Sequence, residues 1–89
     1  MGTRRIDTSD AFYDSFAALV HTPETLKVVQ TLVHHATRHP ERAPELPGFT
    51  VRAISSRSWG AFPALRLFYW YDDEAVHLLA VEPWDELDP

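Results

Sequence analysis

The sequence predicts an α+β domain in which an N-terminal helical hairpin covers one face of a small antiparallel sheet. Three observations lead there. The stretch from Ala64 to Glu86 is the most hydrophobic part of the chain, and it reads as two strands, Leu65 to Tyr71 and Ala75 to Val81, around the polar break Asp72-Asp73-Glu74. Two segments with apolar residues at helical spacing precede it, each opened by a capping residue. A loop rich in proline separates the helical half from the strand half.

Taken in order, Met1 to Asp7 carries Arg4, Arg5 and Ile6, and is either a short first strand or a frayed end. Thr8-Ser9-Asp10 offers N-caps, and Phe12, Phe16, Leu19 and Val20 follow at helical spacing, so a helix is expected from about residue 9 to 20. Thr22-Pro23-Glu24 opens a second helix: Thr22 caps, Pro23 suits the first helical position, and Glu24 favours the positive end of the dipole. Leu26, Val29, Val33 and Ala36 make its apolar stripe, and Pro40 ends it near His39. The short link at His21-Thr22 predicts an antiparallel helical hairpin. Residues 40–48, with three prolines and a glycine, predict a rigid loop without helix. Phe49 to Ser56 resumes strand character, with Val51, Ala53 and Ser55 on one side and Thr50, Arg52, Ile54 and Ser56 on the other. Ser58 to Pro63 is an aromatic-rich turn, the strong hairpin follows, and the acidic tail Pro83 to Pro89 has no clear period. The face of the sheet away from the helices is the natural place for a site.

Composition narrows the function. The chain of 89 residues forms one domain, 1–89, with a single core. A domain of this size is marginally stable alone, so a protein partner or a homodimer is a reasonable expectation. The absence of cysteine excludes disulfides, thiolate metal sites and a thiol nucleophile. There is no apolar run long enough to span a bilayer and no apolar signal core, so a soluble, cytoplasmic protein with no membrane association is expected. The net charge of −5 argues against nucleic-acid binding by bulk electrostatics, while leaving room for a local basic groove.

Few residues carry chemistry. Arg52, Arg57 and Arg66 are the only lysines or arginines after residue 50. Arg66 interrupts an apolar strand, where an unpaired charge is costly. It either holds a phosphate bidentately or pairs with Asp72, Asp73 or Glu82 as a structural arginine. If Arg52 and Arg66 share a sheet face, they form a two-arginine anion site, but alternation within strands does not set the register between them. His77 suits proton transfer near neutrality; the plainer reading is an outward-facing strand histidine. His35 and His39 have the spacing to chelate a metal, yet no carboxylate completes a set, and the cluster with His34 suits the end of a helix dipole. No metal centre and no cofactor are expected. Trp59, Trp70, Trp84, Phe62, Tyr69 and Tyr71 form an aromatic set suited to packing, to a protein partner, or to base stacking.

Several local patterns resemble the RelE/ParE superfamily of toxins from type II toxin–antitoxin systems. The second helix closes with Leu32…His39-Pro40, similar to that family's "L…NP" helix end. Arg66-Leu67-Phe68-Tyr69-Trp70-Tyr71-Asp72 resembles its "R-hydrophobic-hydrophobic-Y-x-x-D" strand, and Val76 to Leu87 resembles its "V-x-L-L-hydrophobic-x-G-x-H-D-E-Y" strand. The resemblance covers nearly the whole chain and implies a strand, a helical hairpin and a three-stranded sheet. It implies a toxin neutralised by a cognate antitoxin and acting on ribosome-bound mRNA as an endoribonuclease. The alternatives are inhibition of DNA gyrase by binding alone, or a non-catalytic protein-binding module. The sequence also departs from the pattern. The family's "H-D-E-Y" is Trp84-Asp85-Glu86-Leu87 here, the only lysine is Lys27, and residues 72–89 hold seven acids with no Lys or Arg. Whether the chain is an enzyme is therefore open at this stage. The candidate catalytic residues are Arg52, Arg66 and His77, and the candidate substrate contacts are Arg57, Tyr69 and Trp84.

Overall fold

The computed structural model describes residues 4–19, 21–48, 50–56 and 64–84. Its elements are β1 (Arg5–Thr8), α1 (Asp10–Ala17), α2 (Pro23–Arg38), a single 3₁₀ turn (Pro40–Arg42), β2 (Arg52–Ser55), β3 (Ala64–Tyr71) and β4 (Ala75–Trp84). Both helices start where capping chemistry places them. The Ser9 hydroxyl accepts from the Phe12 amide at 3.0 Å, and the Thr22 hydroxyl accepts from the Thr25 amide at 3.1 Å, with Pro23 in the first turn. The first helix ends earlier than expected, at Ala17. The loop after α2 contains one helical turn, which the prolines do not preclude because Pro40 stands at its start, where no amide is needed.

The ambiguous N-terminus is a strand, and it changes the character of the sheet. The strand order is β1-β4-β3-β2. The β2–β3 and β3–β4 pairs are antiparallel as expected, but β1 runs parallel to β4, so the sheet is mixed. A parallel neighbour requires a crossover, and the two helices supply it. They pack on the same sheet face, with α1 over β4 and α2 over β3. The core they enclose is built from Phe12, Val29, Leu32 and Ala36 above, and Leu67, Tyr69, Val76, Leu78 and Val81 below. Between the helices lies an apolar groove of about 570 Å³, bordered by Phe12, Phe16, Val29 and Val33.

One irregularity sets which residues face the open side. The β3–β4 register shifts between Phe68 and Tyr69: Phe68 pairs with Ala80, while Tyr69 pairs with Leu78, leaving Leu79 as an extra residue. The bulge reverses the alternation along β4. Val76 and Leu78 point into the core, and beyond the bulge Val81 does so in place of Ala80. His77, Ala80, Glu82 and Trp84 consequently share the face opposite the helices. Two serines of the α1 region satisfy the backbone here. Ser15 Oγ accepts from the Val81 amide at 2.9 Å, and the Ser9 hydroxyl donates to the Leu79 carbonyl at 3.4 Å.

Candidate functional site

The open sheet face carries two polar clusters, one at each end, separated by half-buried apolar residues including Phe68 and Ala80. Arg66 occupies one end. It pairs in register with Ser55 of β2 and Glu82 of β4. Its Nε donates to Ser55 Oγ at 3.1 Å, and its Cζ lies 4.1 Å from the centre of the Trp84 ring. A guanidinium over an indole keeps its outer side and its remaining N–H groups available for a planar ligand or an anion. Among the described residues no ion pair joins Arg66 to a carboxylate, so the expected pairing with Asp72, Asp73 or Glu82 is not seen. Trp84 is half-buried, and its indole N–H has no hydrogen-bond partner among the described residues.

His77 occupies the other end. It pairs with Trp70 and stacks on that indole, with ring centres 3.9 Å apart and planes 10° from parallel. Its Nε2 lies 3.2 Å from Asp72 Oδ2 and its Nδ1 lies 3.6 Å from Asp7 Oδ2, so both ring nitrogens face carboxylates. Asp72 also builds the β3–β4 turn. Its Oδ1 accepts from the Glu74 and Ala75 amides, both at 2.8 Å. The Ala75 and Glu74 amides, followed by His77, hold the Asp72 carboxyl below the usual carboxylate range. A hydrogen bond from Arg5 does the same for Asp7. This arrangement ties the edge strand β1 to the β3–β4 hairpin. Arg66 and Trp70 are four residues apart on one strand, which puts His77 about 13 Å from Arg66.

Arg52 does not join Arg66. It pairs with Tyr69, whose side chain is buried under the helices, so Arg52 points to the helix-covered side. Its guanidinium donates to the carbonyls of Glu41 and Ala43 and to Glu45 Oε1, the last at 2.9 Å. Arg52 braces the loop after α2, and the two-arginine site expected from Arg52 and Arg66 does not form. The expectation for Tyr69 is also corrected. Its side chain is fully buried, and its hydroxyl donates to the Pro40 carbonyl at 2.7 Å, so it is inaccessible to a base. Burial pushes the phenol up to about 12. Arg57 lies outside the described residues, as do Trp59 and Phe62. Of the predicted set, the structure therefore brings together Arg66 and Trp84, with His77 apart on the same face. Sequence reasoning missed Ser55, Asp7 and Asp72 as neighbours. Each is a cross-strand or cross-turn contact, and a known register would have revealed it.

No protein-family model and no curated protein matches the sequence. Solved structures do match the fold. A chain of the intact RelBE toxin–antitoxin complex of E. coli superposes with a TM-score of 0.71 at 20% identity, over 93% of this chain and 99% of that one. The fold is that of RelE. The free E. coli toxin RelE, solved as a double mutant, matches with a TM-score of 0.70 at 17% identity, over 92% of this chain and 84% of that one. A chain of the RelBE2 toxin–antitoxin complex of Mycobacterium tuberculosis matches with a TM-score of 0.64 at 19% identity, over 93% of this chain and 100% of that one. The RelE fold thus extends over nearly the whole chain.

Proposed function

We infer that this chain is the toxin of a type II toxin–antitoxin pair, neutralised by a cognate antitoxin protein and directed at mRNA on the ribosome. The observation that carries this reading is the RelE fold shared over 93% of this chain and 99% and 100% of two matching chains. Two of the matching structures are toxin–antitoxin complexes, which supports a protein partner for this scaffold. Arg66 is the residue we assign to the target. Stacked on Trp84 and free of carboxylate partners among the described residues, it would hold a phosphodiester and offset charge developing on it. Trp84 and the Arg66 plane would receive a base. A target of this kind places the protein in the cytoplasm, and no helix among the described residues is long and apolar enough to cross a membrane.

A second reading, arrest by binding without cleavage, is favoured by one specific feature. The other groups proposed for proton transfer or charge stabilisation are engaged elsewhere: Arg52 in the loop brace and His77 between two carboxylates. DNA gyrase or another macromolecule would then be the target. The test is induced expression in a bacterial host, with growth followed alongside primer extension on total RNA. Growth arrest with new 5′ ends in translated mRNAs is expected. Arrest with intact RNA selects the binding reading. Normal growth, with soluble folded protein present, refutes the assignment as a toxin.

A further inference from the structure

The two edges of the sheet are finished differently. At the β2 edge the loop after α2 covers the strand: the Leu46 amide donates to Val51 O at 2.8 Å, the Ala53 amide donates to Pro44 O at 3.3 Å, and Glu45 bridges Arg52. The β1 edge has no such cover among the described residues. There the Arg5 amide donates to Glu74 O at 2.9 Å and the Ser9 amide to Leu78 O at 3.2 Å, both towards β4. Backbone groups alternate along a strand, so Asp7 also bonds towards β4, while the amides and carbonyls of Ile6 and Thr8 point away from it. Such an edge is a template for another strand unless something blunts it. The side chains of β1 do not blunt it. Ile6 is 46% exposed and Tyr13 57%, and both line the apolar groove beside Thr8. On the opposite face stand Arg5 and Asp7, one charge of each sign, two residues apart. Arg5 spends Nε and one terminal nitrogen on Asp7, which leaves further N–H groups for a second carboxylate.

A two-fold axis pairs a strand antiparallel with its own copy, and two centres bring the free backbone groups of β1 together. Centring on Asp7 sets that carboxylate opposite itself, which is unfavourable. Centring on Ile6 sets Ile6 opposite Ile6 in a hydrogen-bonded pair, and Arg5 opposite Asp7 at both ends. We propose that β1 is a self-association edge, at which two copies of this chain pair antiparallel about Ile6 and join their four-stranded sheets into one. Ile6 and Tyr13 of both copies are then drawn away from water, and the two Arg5–Asp7 pairs form a cluster of alternating charge. The helices permit it. With α1 packed over β4, the two α1 axes stand three strand spacings apart, about 14 Å. That is wider than the roughly 8–10 Å of packed helices, so the Tyr13 rings have room between them. The pairing uses neither Arg66 nor Trp84 and is independent of the toxin reading.

The experiment uses the purified full chain across a concentration series. Analytical ultracentrifugation follows its mass, and NMR follows amide hydrogen exchange residue by residue. The variants are Arg5→Asp and Asp7→Arg, each checked for an unchanged fold by circular dichroism. The wild type is expected to dimerise as concentration rises, with exchange at Ile6 and Thr8 slowing in step; this readout needs no variant. R5D and D7R are each expected to weaken the dimer about tenfold, because two cross-strand pairs turn from attractive to repulsive. An equimolar mixture of R5D and D7R is expected to restore it, since opposite charges again face each other at both positions. A wild type that stays monomeric up to its solubility limit overturns the proposal and leaves the edge to a strand of a different protein. A dimer that leaves exchange at Ile6 and Thr8 unchanged, or that R5D and D7R do not weaken, forms through another face and also overturns it. Single variants that weaken the dimer without rescue in the mixture overturn the antiparallel pairing about Ile6.

Discussion

Replacing Arg52 by alanine separates a structural arginine from a functional one. The Arg52 side chain is 18% exposed and donates to two loop carbonyls and one carboxylate. The Glu45 carboxylate is half exposed, and water replaces the lost ion pair there at a cost of about 0.5 kcal/mol. The Ala43 carbonyl is only partly accessible, and leaving it without its charged donor costs about 1–2 kcal/mol. Loss of the guanidinium's contact with the Tyr71 ring, whose centre lies 5.5 Å from Arg52 Cζ, adds a fraction of a kcal/mol. The total is about 2–3 kcal/mol, which for a domain of this length lowers Tm by roughly 10–20 °C. Arg66→Ala loses one exposed hydrogen bond and a stacking contact worth about 0.5–1 kcal/mol, so its Tm stays within a few degrees of wild type. Thermal unfolding followed by circular dichroism measures the first quantity. Growth arrest on induction, at a temperature where all variants are folded, measures the second. The expected pattern is a destabilised but still toxic R52A and a stable but non-toxic R66A. An R52A protein that melts like wild type and has lost toxicity would refute the assignment of Arg52 as a brace.

Two further predictions concern the scaffold. Ser15→Ala removes the acceptor for the buried Val81 amide beyond the bulge; after allowance for the better helix propensity of alanine, it should cost about 1 kcal/mol and speed hydrogen exchange at Val81, and unchanged protection there would show that Ser15 does not hold the bulge. Tyr69 has a folded-state pKa raised to about 12 against 10 for a free phenol, so its contribution is fully present below pH 10 and is lost as pH rises from 10 to 12. That contribution is on the order of 2–3 kcal/mol; Tyr69→Phe should flatten the alkaline fall in stability measured by urea unfolding, and an unaltered fall would contradict the buried phenol.

Much of this architecture was legible in the residues. Ser9, Thr22 and Pro23 announce the helix starts because capping is a local interaction between near neighbours. The β3–β4 hairpin was legible because Asp72 closes its own turn by bonding the amides of Glu74 and Ala75. Arg66 stood out because a charge inside an apolar strand needs a reason. What the residues by themselves left open depends on contacts between distant segments. The parallel pairing of β1 with β4 joins residues some seventy positions apart, and four residues of strand carry no local mark of their partner. The bulge at Leu79 hides in an unbroken apolar run, yet it decides that Val81 faces the core and that Glu82 and Trp84 face outward.

The same division runs through the site. The sequence alone determined the fold class, the hairpin at its centre, and the small number of residues able to carry charge chemistry, because these follow from composition, period and turn chemistry. Only the tertiary structure decided which of those residues meet. Cross-strand register placed Arg52 opposite Tyr69 and Arg66 opposite Ser55, and so put the two arginines on opposite faces. It put Arg66 over Trp84 and enclosed His77 between Asp7 and Asp72. The physical reason is that a strand's side-chain period is two: a shift of one residue in pairing moves every side chain to the other face, and the pairing is fixed by the packing of the whole core.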